Sequence, residues 1–166
     1  MRLLAWIAGL CIIVEIFAIP VCHADASITL QVIGLDGIQH EFSADELAAM
    51  PHLSVKVADH SGGESLFDGI PAREMLRLAG APLGKELAGK NLSLYVVAEA
   101  ADGYAAVYAL AEFDSAFTDS SILIADRRNG KALSADEGPL RVVVPWEKRQ
   151  ARWVRQLIAL RLARAP

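Results

Sequence analysis

Three arginines carry the chemistry that this sequence offers most plainly. Arg141 stands inside Leu140–Val144, a run otherwise built of leucine and valine, and Arg152 and Arg155 follow it in a basic tail. An arginine is seldom buried without a partner. Arg141 therefore needs one of two things: a carboxylate of the chain itself, as a salt bridge at the strand end, or an anion placed there by function. The residue types alone leave both open.

The charge distribution sharpens the question. The 166-residue chain has a net charge of −4, yet its charges are segregated. Residues 27–126 hold 5 basic and 15 acidic side chains, whereas residues 127–166 hold 10 basic and 3 acidic. Such asymmetry marks a positive site for an anion, or two halves that attract each other. It does not point to nucleic acid, because the total is acidic and the aromatics do not interleave with a basic stripe. Hydrolytic signatures are missing as well. There is no Gly-x-Ser-x-Gly elbow and no His-Glu-x-x-His, and Ser61-Gly62-Gly63 lacks the lysine of a phosphate-binding loop. Asp59, His60, Glu64 and His52 match no zinc spacing, and His40 reads as a rim histidine rather than a ligand.

The first 26 residues read as a secretory signal peptide. Arg2 gives the positive start, Leu3–Ile19 is mostly apolar, Pro20 ends the run, and Ala24-Asp25-Ala26 is a small-x-small site. Glu15 within the run argues against a retained anchor, and Val21 ahead of Cys22 argues against a lipid anchor there. The expectation is a periplasmic or secreted protein, cleaved after Ala24 or Ala26, with no membrane span thereafter. Cys11 and Cys22 lie in that segment, so the remainder contains no thiolate nucleophile, thiolate ligand or disulfide. Its roughly 140 residues suffice for one self-supporting core, so residues 27–166 read as a single domain.

The elements that must position the arginines follow from local pattern. Ile28–Val32 and Ile38–Phe42 alternate around Gly34–Gly37 and predict a β-hairpin. Ser43 and Glu46 form a capping box for a short helix over 44–50, which Pro51 stops. Leu53–Val57 alternates as a third strand, and Ala58–Glu64 reads as a polar loop. Pro71 reads as the first helical residue of a helix whose buried stripe is Ala72, Met75, Leu76 and Ala79, with Gly80 beyond its end. Leu92–Ala98 and Tyr104–Leu110 are apolar on both faces and read as central strands. A helical turn within 111–117, a strand at Ser121–Ala125 and an Asn129-Gly130 turn lead to the Leu140–Val144 strand. The tail predicts a short helix near 149–154 and a strand at 156–162. Strands dominate without strict β-α-β alternation, which is an α+β class with mixed β-sheets and short helices.

Taken in order, Gly69-Ile70-Pro71, Asp102-Gly103-Tyr104, Asn129-Gly130, Gly138-Pro139-Leu140-Arg141-Val142-Val143-Val144-Pro145 and Arg152-Trp153-Val154-Arg155 resemble the oxidoreductase molybdopterin-binding domain, the fold of sulfite oxidase. The resemblance covers roughly residues 45–162 and implies a sulfite-oxidase-like fold in a small, single-domain secreted member. It further implies a pterin dithiolene cofactor carrying phosphate, with a protein cysteine on the metal. Arg141 matches a family arginine at the pterin phosphate, Arg155 a basic residue with the same task, and Tyr104 a Gly-Tyr turn after a central strand. The sequence departs from the pattern at two points. No cysteine stands near Val57–His60, where the family places it, so molybdenum is not expected although molybdopterin itself is implied. Asp136 or Glu137 replaces the family histidine ahead of the Gly-Pro-Leu-Arg run.

Three readings of function follow. The first is a non-catalytic envelope module that uses Arg141, Arg152 and Arg155 to hold an anionic small molecule or a partner protein. The second is a molybdenum oxidoreductase of the sulfite oxidase type with Asp59 or His60 in place of the cysteine. The third is a structural interaction protein whose arginines only pair with its acidic half.

Overall fold

The computed structural model describes residues 28–58 and 63–166. The expected signal segment, and Asp59 and His60, lie outside the described residues. The hairpin forms as β1 (Ile28–Ile33) and β2 (Gln39–Ser43), antiparallel with Val32 opposite His40. Leu30, Val32 and Phe42 are buried. α1 (Ala44–Ala49) starts at the expected box: Ser43 N–H donates to the Glu46 carboxylate at 2.8 Å while Glu46 N–H donates to Ser43 Oγ. Donation from Ser43 N–H, and from its hydroxyl at 2.8 Å, holds the Glu46 carboxyl below its ordinary range.

β3 (Leu53–Ala58) pairs antiparallel with β4 (Glu64–Pro71) along its whole length. β4 departs from expectation, since only a loop and a helix start were read there. Ser65, Phe67, Gly69 and Pro71 face inward and Glu64 and Leu66 outward. The two-residue period is present, but serine and glycine give it little hydrophobic weight. Gly69 admits no side chain, for a Cβ would stand 2.3 Å from the Ile124 carbonyl oxygen and 2.5 Å from Ala125 Cα. Pro71 consequently ends β4 and caps α2 (Ala72–Leu78) instead of opening it. The stripe Ala72, Met75, Leu76 and Ala79 is buried as expected, and Gly80 follows with φ +74°.

β5 (Leu94–Ala100) and β6 (Ala105–Ala109) are antiparallel neighbours. β7 (Leu123–Arg128), β8 (Lys131–Ala132) and β9 (Arg141–Val143) follow, with Asn129 and Gly130 both at positive φ between β7 and β8. A 3-10 turn at Gln150–Arg152 stands where a short helix was expected, and β10 (Leu157–Arg164) ends the chain.

The strands form two sheets, a mixed one ordered β2-β1-β10-β5-β6 and an antiparallel one ordered β3-β4-β7-β8 with β9 on β7. β10 enters between β1, to which it is parallel, and β5, to which it is antiparallel. β5 is central, as expected. β6 is not: it stands at the sheet edge with Ala105, Val107 and Ala109 exposed. The inner faces meet in one core that includes Val96, Ala98 and Leu160 from the first sheet and Phe67, Ile124 and Val142 from the second. Among the described residues no helix is long and apolar enough to cross a membrane.

Candidate functional site

β9 sets Arg141 opposite Ala125 of β7, so the arginine is carried into the interior and is only 2% exposed. Its Nη1 donates to Glu137 Oε1 at 2.6 Å. Its guanidinium lies 5.3 Å from the Phe67 ring centre and 5.5 Å from that of Trp153. Arg128, the last residue of β7, approaches the same Glu137 oxygen at 3.4 Å, donates through Nε to Ser65 Oγ at 3.1 Å, and stands 5.5 Å from Phe67. Trp153 meets Phe67 edge-on at 5.9 Å. Glu137 is itself fixed by backbone bonds, its N–H donating to Ser134 O and its carbonyl accepting from Gln156 N–H. Two guanidiniums, one carboxylate and the Phe67 ring thus line a chamber of about 150 Å³, which Arg155 also borders. Charge-assisted hydrogen bonds and cation–π contacts offset the cost of taking these charges from water.

Above this floor the cleft widens. Arg155 is exposed and, among the described residues, makes no side-chain hydrogen bond or ion pair. Gln156 follows it at φ 46°, a backbone setting that turns the chain so that Trp153, Val154 and Leu157 go inward while Arg155 faces out. Besides the chamber, Arg155 lines two hollows. One, of about 630 Å³, is bordered by Arg128, Lys131, Ser134, Asp136 and Glu137. The other, of about 320 Å³, is bordered by Asp102, Tyr104, Asp136, Gln150 and Gln156. The first sets three cations against two carboxylates and the second one cation against two. An anion is therefore best received on the Lys131 side.

Tyr104 is half exposed, and its hydroxyl donates to Ala151 O at 2.6 Å, which fixes the ring on the smaller hollow. Arg152 takes the opposite direction. It donates to Glu147 Oε1 at 2.6 Å, to Glu112 Oε2 at 2.9 Å and to Val107 O at 3.0 Å, and it lies 4.7 Å from the Tyr108 ring. Glu112, then Glu147, hold its proton more tightly than usual, and burial raises the Tyr108 phenol. Of the four residues singled out in the sequence, Arg141, Arg155 and Tyr104 border one connected cleft, whereas Arg152 lies against the β6 edge.

Arg128, Phe67, Trp153 and Lys131 were not singled out. In sequence, Arg128 is only the neighbour of the Asn129-Gly130 turn, and Phe67 falls between the expected polar loop and the expected helix start. The one available signal was the carboxylate at Glu137, four residues before an arginine that needs a counter-charge. Among the weighed metal ligands, His52 sits 3.5 Å from Asp126, and Glu64 pairs with Lys56. Among the described residues no group of three or more His, Cys, Asp or Glu could hold a metal ion.

Arg155 is the cation of the cleft that no carboxylate of the described residues engages. No cysteine is among the described residues, so none of them supplies the thiolate ligand that the resemblance implies. The 150 Å³ chamber is moreover smaller than the roughly 300–1,000 Å³ that ligand pockets commonly offer. No curated protein matches the chain. Among solved structures it is similar to the sulfane dehydrogenase SoxCD from Paracoccus pantotrophus, at 20% identity and a TM-score of 0.62. That match covers 82% of this chain but only 38% of the other, so the shared fold spans well under half of the larger protein. The family model for the oxidoreductase molybdopterin binding domain matches residues 17–165. By that match, the chain, with one mixed sheet, one antiparallel sheet and few short helices, belongs to the oxidoreductase molybdopterin-binding domain family.

Proposed function

We propose that this protein is a non-catalytic binding module of the cell envelope, periplasmic or secreted, that holds an anionic ligand of pterin-phosphate character. The observation that carries the reading is Arg155, an exposed guanidinium without a partner among the described residues, at the meeting point of the chamber and both hollows. Arg128 and Lys131 add positive potential on one side, and Tyr104 offers an aromatic face on the other. A guanidinium in such a concavity meets a phosphate or carboxylate with two parallel hydrogen bonds and draws it in electrostatically. An acidic patch on an envelope protein is the alternative occupant.

Thermal unfolding with and without inorganic phosphate or a pterin phosphate tests this. A ligand present at a hundred times its Kd stabilises the folded state by about 2.7 kcal/mol, so the wild-type midpoint should rise and that of Arg155→Met should not. An unchanged wild-type midpoint would leave the arginines a structural role. With no cysteine beyond position 22, native protein should carry well under one molybdenum per chain; about one per chain would favour the oxidoreductase reading, with Asp59 or His60 as ligand. Mass measurement of the native protein should show the loss of 24 or 26 residues, and a full-length mass in the membrane fraction would reject export.

A further inference from the structure

We infer that Glu137 is the specificity-determining residue of the cleft: it occupies the anion position of the inner chamber and confines ligand charge to Arg155 at the mouth. The inference rests on the binding-module reading and adds which part of the cleft an anion can reach.

The geometry makes the assignment. One oxygen, Glu137 Oε1, lies 2.6 Å from Arg141 and 3.4 Å from Arg128, the two cations deepest in the cleft. An incoming phosphate would need the same donors. It would also meet a carboxylate already seated on them, and like charges in a confined, weakly screened space repel strongly. The chamber leaves room for a few waters or one small oxyanion but not for both an oxyanion and an ordered ring system. Its aromatic wall is committed too, with Phe67 against both guanidiniums and the edge of Trp153. Arg155 differs on every count: it is exposed, and it borders the 630 Å³ hollow where cations outnumber carboxylates. A ligand that fits must present its anionic group to Arg155 and Lys131. Toward Glu137 it must present a hydrogen-bond donor or nothing charged. Carboxylate at position 137 thus selects against ligands with a second, deep-seated anionic group.

The test uses inorganic phosphate as probe and isothermal titration as readout, on wild type, Glu137→Gln, and the double variant Glu137→Gln/Arg141→Met. The amide keeps the size of the side chain while removing its charge. Glu137→Gln should bind phosphate at least tenfold more tightly than wild type. The double variant, which removes Arg141 along with the carboxylate charge and keeps Arg128, should lose most of that gain. If Glu137→Gln fails to fold without phosphate but folds with it, phosphate is filling the position that the carboxylate held and the inference stands. A folded Glu137→Gln with unchanged or weaker affinity overturns it. So does a double variant that binds more weakly than wild type, since Arg141 would then already serve the ligand. Failure of wild type to bind phosphate, together with a gain in Glu137→Gln, would remove the binding-module reading while keeping Glu137 as the occupant of the chamber's anion position.

Discussion

Arg152 and Arg155 stand on one short segment and meet opposite fates. Arg152 is clasped by Glu112 and Glu147 and laid against Tyr108, while Arg155 reaches open solvent at the cleft. Both come from the basic tail whose charge first suggested an anion site. The contrast shows that part of this charge is spent on the chain's own acidic half, through Arg152 with Glu112 and Arg161 with Glu99. Pinned charges contribute to stability, and the unpinned one is available to a ligand.

Substitutions separate the two kinds of charge. The largest effect is expected at the most deeply pinned. Arg141→Met should lower unfolding free energy by about 3 kcal/mol, because it leaves the partly buried Glu137 carboxylate with only the longer contact to Arg128. Denaturant unfolding measures this, and a cost near zero would place Arg141 with Arg155 instead.

Asp114 is the pinned charge on the acidic side. It accepts N–H bonds from Ala116, at 2.9 Å, and from Gly84, and these hold its carboxyl below the ordinary aspartate value. Asp114→Asn should cost about 2 kcal/mol at neutral pH. A depressed folded-state value means that this stability is present above the unfolded value near 3.8 and is lost as pH falls through the lower folded value. The gap between wild type and variant should accordingly close only under acid, and a gap constant with pH would mean that the carboxylate charge is not what stabilises.

Arg152→Met should cost about 1–2 kcal/mol, between the buried and the exposed limits, since its side chain is 36% accessible. Arg155→Met should lie within about 0.5 kcal/mol of wild type. If these last two values came out reversed, the division between pinned and available charge would be wrong.

Much of the fold was legible because it rests on local pattern. The hairpin, the Ser43–Glu46 box, the stripe of α2, the Asn129-Gly130 turn and the tail strand are each specified by residues near one another in sequence. β4 was not legible, because Ser65 and Gly69 occupy inward positions where a reader looks for large apolar side chains. Nor was the edge position of β6, for Val107 and Tyr108 look alike in sequence and only pairing with distant strands decides which is covered. At the site, the need of Arg141 for a counter-charge could be read from its apolar neighbours. The division of labour between Arg152 and Arg155 could not, because it depends on a 3-10 turn and on the backbone of Gln156.

The clasp around Arg152 has one more consequence. Two of its bonds go to the backbone of β6, which is an edge strand among the described residues: Arg152 donates to Val107 O and Glu112 accepts from Ala109 N–H. Free backbone groups on an exposed strand with apolar side chains are a template onto which another chain can add. The ion cluster works as a stopper on that template. A molecule that lost it would remain largely folded yet become self-adhesive, and its failure in a cell would be one of solubility before one of structure.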